Sequence, residues 1–116
     1  MQRVASLIHL NAARSLKLTG KGVGIAVFDT GIGRHPDLTM PGTRLQAFVD
    51  IVNHRKDYYD DNGHGTHITG IIAGSGQASQ RKYEGIAPDS HFIMIKVLNQ
   101  KGAGNIEDVL AGIRWL

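Results

Sequence analysis

Val23-Gly24-Ile25-Ala26-Val27-Phe28-Asp29 is the stretch that decides the fold. A nearly continuous apolar run of this length lacks the in-out alternation of a half-exposed strand, and it reads as a strand buried on both faces of a parallel sheet. Its last residue is acidic, which puts a carboxylate at the carboxyl end of that strand. His91-Phe92-Ile93-Met94-Ile95-Lys96-Val97-Leu98 reads as a second strongly apolar strand, and Leu45-Gln46-Ala47-Phe48-Val49-Asp50 as another.

Helical spacing fills the intervals between these runs. Leu7, Leu10, Ala13 or Arg14 and Leu18 recur as on one amphipathic helix, stopped by Thr19-Gly20-Lys21-Gly22. Ile68, Ile71 and Ile72 share a face of a second helix that starts at His64 and ends near Gly74-Ser75-Gly76, with Gly65, Gly70 and Gly74 offering close approach. Asn105 is placed to cap a last helix whose Ile106, Val109, Leu110, Ile113 and Leu116 line up. The intervening stretches 30–44, 53–63 and 77–82 read as turns and loops. Strands alternating with helices give an α/β domain over residues 1–116, with a parallel sheet, helices on both faces and functional sites beyond the strands' carboxyl ends. The last helix lacks a stop signal, so the domain is expected to be incomplete as given, and its uncovered edges would favour self-association.

Bulk properties narrow the function classes. The 116 residues carry 13 Lys and Arg against 10 Asp and Glu, a formal charge of +3, and the cations are dispersed. That distribution gives no nucleic-acid footprint. With no cysteine there is neither a thiol nucleophile nor a thiolate metal site. The opening residues 1–18 hold only a short, interrupted apolar stretch, which fits neither a signal peptide nor a membrane span, so no membrane partner is expected; localisation, secreted or cytoplasmic, is left open.

Two residues stand out chemically. Asp29 needs a donor if it is to stay ionised at the end of an apolar strand, or it simply starts an Asx turn with Thr30 and Gly31. His64, between Gly63 and Gly65, is either a capping residue or an imidazole with room for a reacting group. His67 with Asp60 and Asp61 suggests a metal, but the helical two-histidine metal motif requires a spacing of four with a Glu between, and here the spacing is three.

In order and spacing, Val27-Phe28-Asp29-Thr30-Gly31-Ile32, Asp61-Asn62-Gly63-His64-Gly65-Thr66-His67-Ile68-Thr69-Gly70, Gly85-Ile86-Ala87-Pro88 and Lys96-Val97-Leu98 with Gly102-Ala103-Gly104 closely resemble the subtilisin-like serine proteases, the subtilases. The likeness runs from Thr19 onward, and the lead-in HLNAARSLKLTGKGV is most similar to that of the minor serine proteases of Bacillus.

The resemblance implies a three-layer serine endopeptidase with an Asp-His-Ser triad, of which Asp29 and His64 match the first two members, while His67 matches a structural position. The family's serine and its oxyanion-hole asparagine lie in motifs that these residues do not contain, since Ser75, Ser79 and Ser90 lack a Gly-Thr-Ser context. The expectation is therefore an active parent and an inactive fragment. The alternative is a non-catalytic peptide-binding or self-associating piece.

Peptide or protein substrate would lie along Leu98, Gly102 and Gly104, matched to the family's substrate-binding edge, though a plain strand with a tight turn has the same pattern. No cofactor is expected for catalysis. Asp37 matches a calcium-ligating position of many relatives, so structural calcium is implied for the parent. Here Gly74-Ser75-Gly76-Gln77-Ala78-Ser79 replaces the Asn-rich loop that would complete the site, and the N-terminal ligand would fall before Met1.

Overall fold

The computed structural model describes residues 2–116. Two short helices, α1 (Gln2–Leu7) and α2 (Leu10–Ser15), lead into strand β1 (Gly24–Asp29). Helix α3 (Pro36–Thr39), strand β2 (Leu45–Asp50), helix α4 (His64–Ala73), a single 3-10 turn (Gln77–Ser79), strand β3 (His91–Lys96) and helix α5 (Ile106–Trp115) follow. The three strands form one parallel sheet in the order β1-β3-β2, with β3 in the centre.

The alternation of side chains along the strands assigns the two faces. Val27, Phe92 and Met94 lie in one buried cluster with Ile32, Leu38 and Ala73, and Ile25, Leu45, Phe48, Ile68 and Ile72 pack against it, so α4 covers that face. Phe28 and Ile95 are register partners pointing the other way, and α5 rests on them through Gly112. A methyl group at Gly112 would come within 2.7 Å of Ile95 and 2.9 Å of Phe28, so only a glycine lets the helix settle there. Helices thus lie on both faces of a parallel sheet, the α/β architecture expected.

Several local expectations are corrected. The single helix over 7–18 is two helices, because His9 takes a left-handed conformation (φ 56°) between them. Leu7 and Leu18 of the expected apolar face remain exposed. What docks the segment is Arg14, whose guanidinium donates to the carbonyls of Gly85 (2.9 Å) and Ile86 (3.0 Å).

β1 is not buried on both faces: Gly24 and Ala26 are exposed because β1 is an edge strand and α5 reaches only its last turn of residues. The apolar stripe assigned to α5 is largely solvent-facing, with Ile106, Leu110, Ile113 and Leu116 exposed, while Gly112 is the buried contact. Asn105 does cap that helix, accepting from the Asp108 amide at 2.8 Å.

α3 lies within the stretch 30–44, where a loop is expected. Its signals are in the sequence, Pro36 at the first helical position and Asp37 in the first turn, with His35 Nδ1 accepting from the Asp37 amide. The strand expected to reach Leu98 ends at Lys96. β2 carries a bulge: Leu45 pairs with Phe92 and Ala47 with Ile93, leaving Gln46 unpaired, after which Asp50 falls level with Lys96.

α4 meets the sheet where its first turn passes the end of β1. A methyl group at Gly65 would collide with the Gly31 carbonyl oxygen and lie 3.2 Å from the Asp29 Cβ, whereas one at Gly70 would meet nothing within 4 Å. The two glycines of one helix are therefore expected to answer oppositely. Gly65→Ala should destabilise by about 1–3 kcal/mol through overpacking. Gly70→Ala should stabilise by about 0.5–1 kcal/mol through helix propensity. Denaturant midpoints at unchanged slope are the measurement.

Candidate active site

Asp29, at the carboxyl end of β1, is 7% exposed. Its Oδ1 accepts the Thr30 amide at 2.7 Å, and both carboxylate oxygens face His64 Nδ1, at 2.9 and 3.0 Å. An ionised carboxylate only accepts, so this geometry assigns the imidazole proton to Nδ1 and leaves Nε2 of the neutral ring with a free lone pair. The histidine side chain is 58% exposed, which leaves the ring accessible to a reactant. The sequence expectation that Asp29 requires a donor is met by the histidine singled out on other grounds.

The pair is held by the two loops that carry it. The Thr30 hydroxyl accepts from the amide of Gly65, the residue after His64, at 2.9 Å, and donates to Asp60 Oδ1 at 2.9 Å. Asp60 also accepts from the amides of Asn62 (3.1 Å), Gly63 (2.8 Å) and Thr66 (2.9 Å) and from the Thr66 hydroxyl. The Thr66 hydroxyl in turn accepts from the Gly33 amide at 2.8 Å. Asp60 thus meets the free amides at the start of α4 and ties them to the loop after β1. An antiparallel bridge between Gly31 and Asp60 closes the same two loops through their backbones.

Across the sheet ends Asp29, Lys96 and Asp50 lie level on three adjacent strands. Lys96 is fully buried, and its ammonium donates to the Thr30 carbonyl (2.6 Å), the Leu98 carbonyl (2.7 Å) and Asp61 Oδ1 (2.8 Å). Asp50 accepts from the Tyr59 hydroxyl at 2.6 Å and from the amides of Val52, Asn53 and Arg55. Burial pushes the Asp50 carboxyl up, but the Asn53 amide, the Tyr59 hydroxyl, the Arg55 amide and the Lys96 charge together hold it below the ordinary carboxylate value. Burial raises the Tyr59 phenol, and its bond to Asp50 raises it further against the opposing Asn53 contact.

Leu98, Gly102 and Gly104 lie beyond the end of β3. Both edges of β3 are taken by β1 and β2, so an added strand has no place along β3 itself, and only the segment after Lys96 remains for it. The Leu98 amide donates to the Asp29 carbonyl at 3.2 Å, which brings this segment directly beside Asp29. Its tip is a turn closed by Asn99, whose side chain accepts from the amides of Lys101 and Ala103. Gly102 is exposed with φ +75°, a conformation that disfavours other residues. Asn62 Nδ2 donates to the Gln100 carbonyl at 2.9 Å and so connects the tip to the turn before His64.

His67, matched to a structural position, is exposed and lines an open cleft of about 550 Å³ with Leu38, Ile71 and Tyr83. Neither Asp29 nor His64 lines it, so this cleft is not where the paired charges are. The metal suggested by His67, Asp60 and Asp61 does not fit, since Asp60 is committed to amides and hydroxyls and Asp61 to Lys96. The residues around Asp37 do not fit a calcium cage either, because its Oδ1 accepts the Ala78 amide at 2.7 Å, a donor turned toward the oxygen a cation would need. Among the described residues no group of three His, Asp or Glu side chains is assembled as for a metal ion. No described helix is long and apolar enough to cross a membrane.

The sequence reading weighs Asp60 only as a metal ligand and Thr30 only in an Asx turn, and it gives Lys96 no role of its own. Lys96 had a legible signal: it ends an apolar strand just as Asp29 does, with the opposite charge. Asp60 stands ahead of a Gly-His helix start, where an acceptor for amides is needed.

A strand-end aspartate bonded to a helix-start histidine, on a parallel sheet, defines a class that the comparisons then specify. The Subtilase family matches residues 20–116, and the chain belongs to it. It is 50% identical over 98 residues to the serine protease AprX of Bacillus subtilis (strain 168), covering 84% of this chain and 22% of that protein. It is 40% identical over 110 residues to the minor extracellular protease Epr of the same organism, covering 93% of this chain and 16% of that one. A crystal structure of a cold adapted subtilisin-like serine proteinase superposes with a TM-score of 0.70 at 33% identity, over 84% of this chain and 33% of that one. The chain therefore spans about a fifth of the length of the first of these relatives and about a sixth of the second.

The Asp60 network has a pH signature. Burial acts to raise the Asp60 carboxyl, but hydrogen bonds from the Thr66 hydroxyl and the Gly63, Thr66 and Asn62 amides outweigh it and hold the group at about 2. A free aspartate titrates near 3.9. The ionised form therefore stabilises the fold fully above about pH 4, and this contribution is lost as the pH falls from about 4 to about 2. After allowance for solvent screening of a partly exposed group it amounts to about 1 kcal/mol. Melting temperature plotted against pH should be flatter across that window in Asp60→Asn than in the unaltered chain.

Proposed function

We propose that this chain is part of a serine endopeptidase in which Asp29 and His64 are the aspartate and general base of an Asp-His-Ser triad. The observation that carries the reading is the contact of His64 Nδ1 with both Asp29 oxygens at 2.9 and 3.0 Å. With the proton on Nδ1, His64 Nε2 takes the proton of a serine hydroxyl as that oxygen attacks a peptide carbonyl. The imidazolium then gives the proton to the departing amine, the acyl-enzyme forms, and a water molecule activated by the same nitrogen hydrolyses it. Asp29 stays ionised throughout, orienting the ring and stabilising its positive charge. The membership of the family and the names of its relatives support this chemistry. Peptide backbone would pair with the Leu98 to Gly104 segment, where Gly102 and Gly104 present no side chain to the incoming strand.

None of the serines within the 116 residues stands in a nucleophile motif, so hydrolysis is assigned to the longer protease and not to this segment alone. In the full-length protease His64→Ala should lower kcat on the order of 10^6-fold, with an acylating serine inhibitor labelling that form and not the 116-residue chain. Multiple turnover by the purified 116-residue chain that survives His64→Ala would overturn the reading.

The loop beside Asp37 is proposed to be held by the Asp37 to Ala78 hydrogen bond in place of calcium. In the full-length protease Asp37→Asn should lower the melting temperature by the same amount with calcium present and with a chelator. A loss confined to the calcium-containing sample would show that Asp37 is a ligand after all.

A further inference from the structure

We infer that Lys96 is a positioning residue for the Asp29–His64 pair, acting through the peptide unit of Thr30; the inference rests on the reading of that pair as catalytic. Lys96 lies level with Asp29 on the neighbouring strand and is fully buried, and all three of its ammonium hydrogens are used. Each bond goes to a different loop: to the Thr30 carbonyl after β1, to Asp61 before α4, and to the Leu98 carbonyl after β3.

Thr30 is where this restraint reaches the reacting groups. Its amide donates to Asp29 Oδ1, and its hydroxyl accepts from the amide of Gly65, next to His64. With the carbonyl held by Lys96, the amide, hydroxyl and carbonyl of one residue are all fixed, and they orient the carboxylate on one side and the histidine backbone on the other. The Leu98 bond extends the same restraint to the segment proposed to bind peptide, whose Leu98 amide also meets the Asp29 carbonyl. One buried ammonium thereby sets the distance between the paired groups and the peptide they would act on. No other buried cation touches either loop of the pair among the described residues.

Mispositioning of catalytic groups by about an ångström costs on the order of 10²-fold in rate. In the full-length protease, Lys96→Met keeps the length and apolar stem of the side chain and removes the charge and its three bonds. The expected result is a fall of about 10²-fold in kcat per active site, counted by burst titration with an acylating substrate, with KM rising less than about tenfold. Lys96→Arg, which keeps the charge and the donors, should recover most of the lost rate.

A role in folding alone would lower the fraction of titratable sites and leave kcat per site unchanged, and that result overturns the inference. Should Lys96→Met not fold, Asp61→Ala decides, because it removes the acceptor of one of the three ammonium bonds from an exposed position. A threefold to tenfold drop in kcat per site is then expected, and no drop counts against Lys96. His64→Ala run in parallel separates the two readings. If it leaves activity intact, the catalytic reading of the pair fails; if it abolishes activity while the Lys96 and Asp61 variants keep full kcat, only the positioning role fails.

Discussion

Charges brought to the ends of buried strands must find partners there, because the sheet behind them offers none and solvent reaches them only partly. Asp29 and Asp50 stand at two such ends and Lys96 at the third, level with one another. Every loop at this end of the sheet is bent to satisfy them. The segment after β1 turns so that the Thr30 amide meets Asp29 and its carbonyl meets Lys96, the approach to α4 brings in His64 and Asp61, and the turn after β2 wraps three amides around Asp50. Loops carrying so many specific bonds are rigid, and a rigid surround is what a group needs if it is to hold a reactant in one geometry.

Asp29 and His64 illustrate how a residue pair separated by 35 positions becomes a single unit. The crossover from β1 through α3 and β2 returns the chain to the same end of the sheet, and α4 begins there. Gly65 then lets the first helical turn pass against the Gly31 carbonyl. Asp60 completes the join by collecting the amides at the helix start and the Thr30 hydroxyl in one carboxylate.

The strands, α4 and the capped start of α5 were legible because each is a continuous apolar or periodic run with punctuation at its ends. Asp29 and His64 were legible as chemistry only in combination, each having an ordinary explanation alone. What the sequence hid were features set by partners remote along the chain. The apolar spacing of residues 7–18 implied one packed helix, but nothing across from Leu7 or Leu18 covers them, and a left-handed His9 breaks the element. The stripe on α5 pointed to burial through Ile106, Leu110 and Ile113, whereas the sheet admits the helix only where Gly112 lies over Phe28 and Ile95. The roles of Lys96 and Asp60 were hidden, the second behind a metal-ligand pattern, because a charge beside a loop looks solvated until the loops on either side are known.

The bulge in β2 gives the strand a surplus of one residue between its two anchor points. Leu45 enters the core level with Phe92, and Asp50 must arrive level with Lys96; five steps on one strand therefore correspond to four on the other, with Gln46 absorbing the difference. Side-chain direction reverses at every step along a strand. Without Gln46 the residues Leu45, Ala47, Phe48, Val49 and Asp50 would face Phe92 to Lys96 one for one, with Leu45 and Phe48 still on the core face and Asp50 still level with Lys96. Gln46 is thus surplus to the ladder, and what it supplies is the local bend and twist of a bulge at the entry to β2, not the level at which Asp50 arrives.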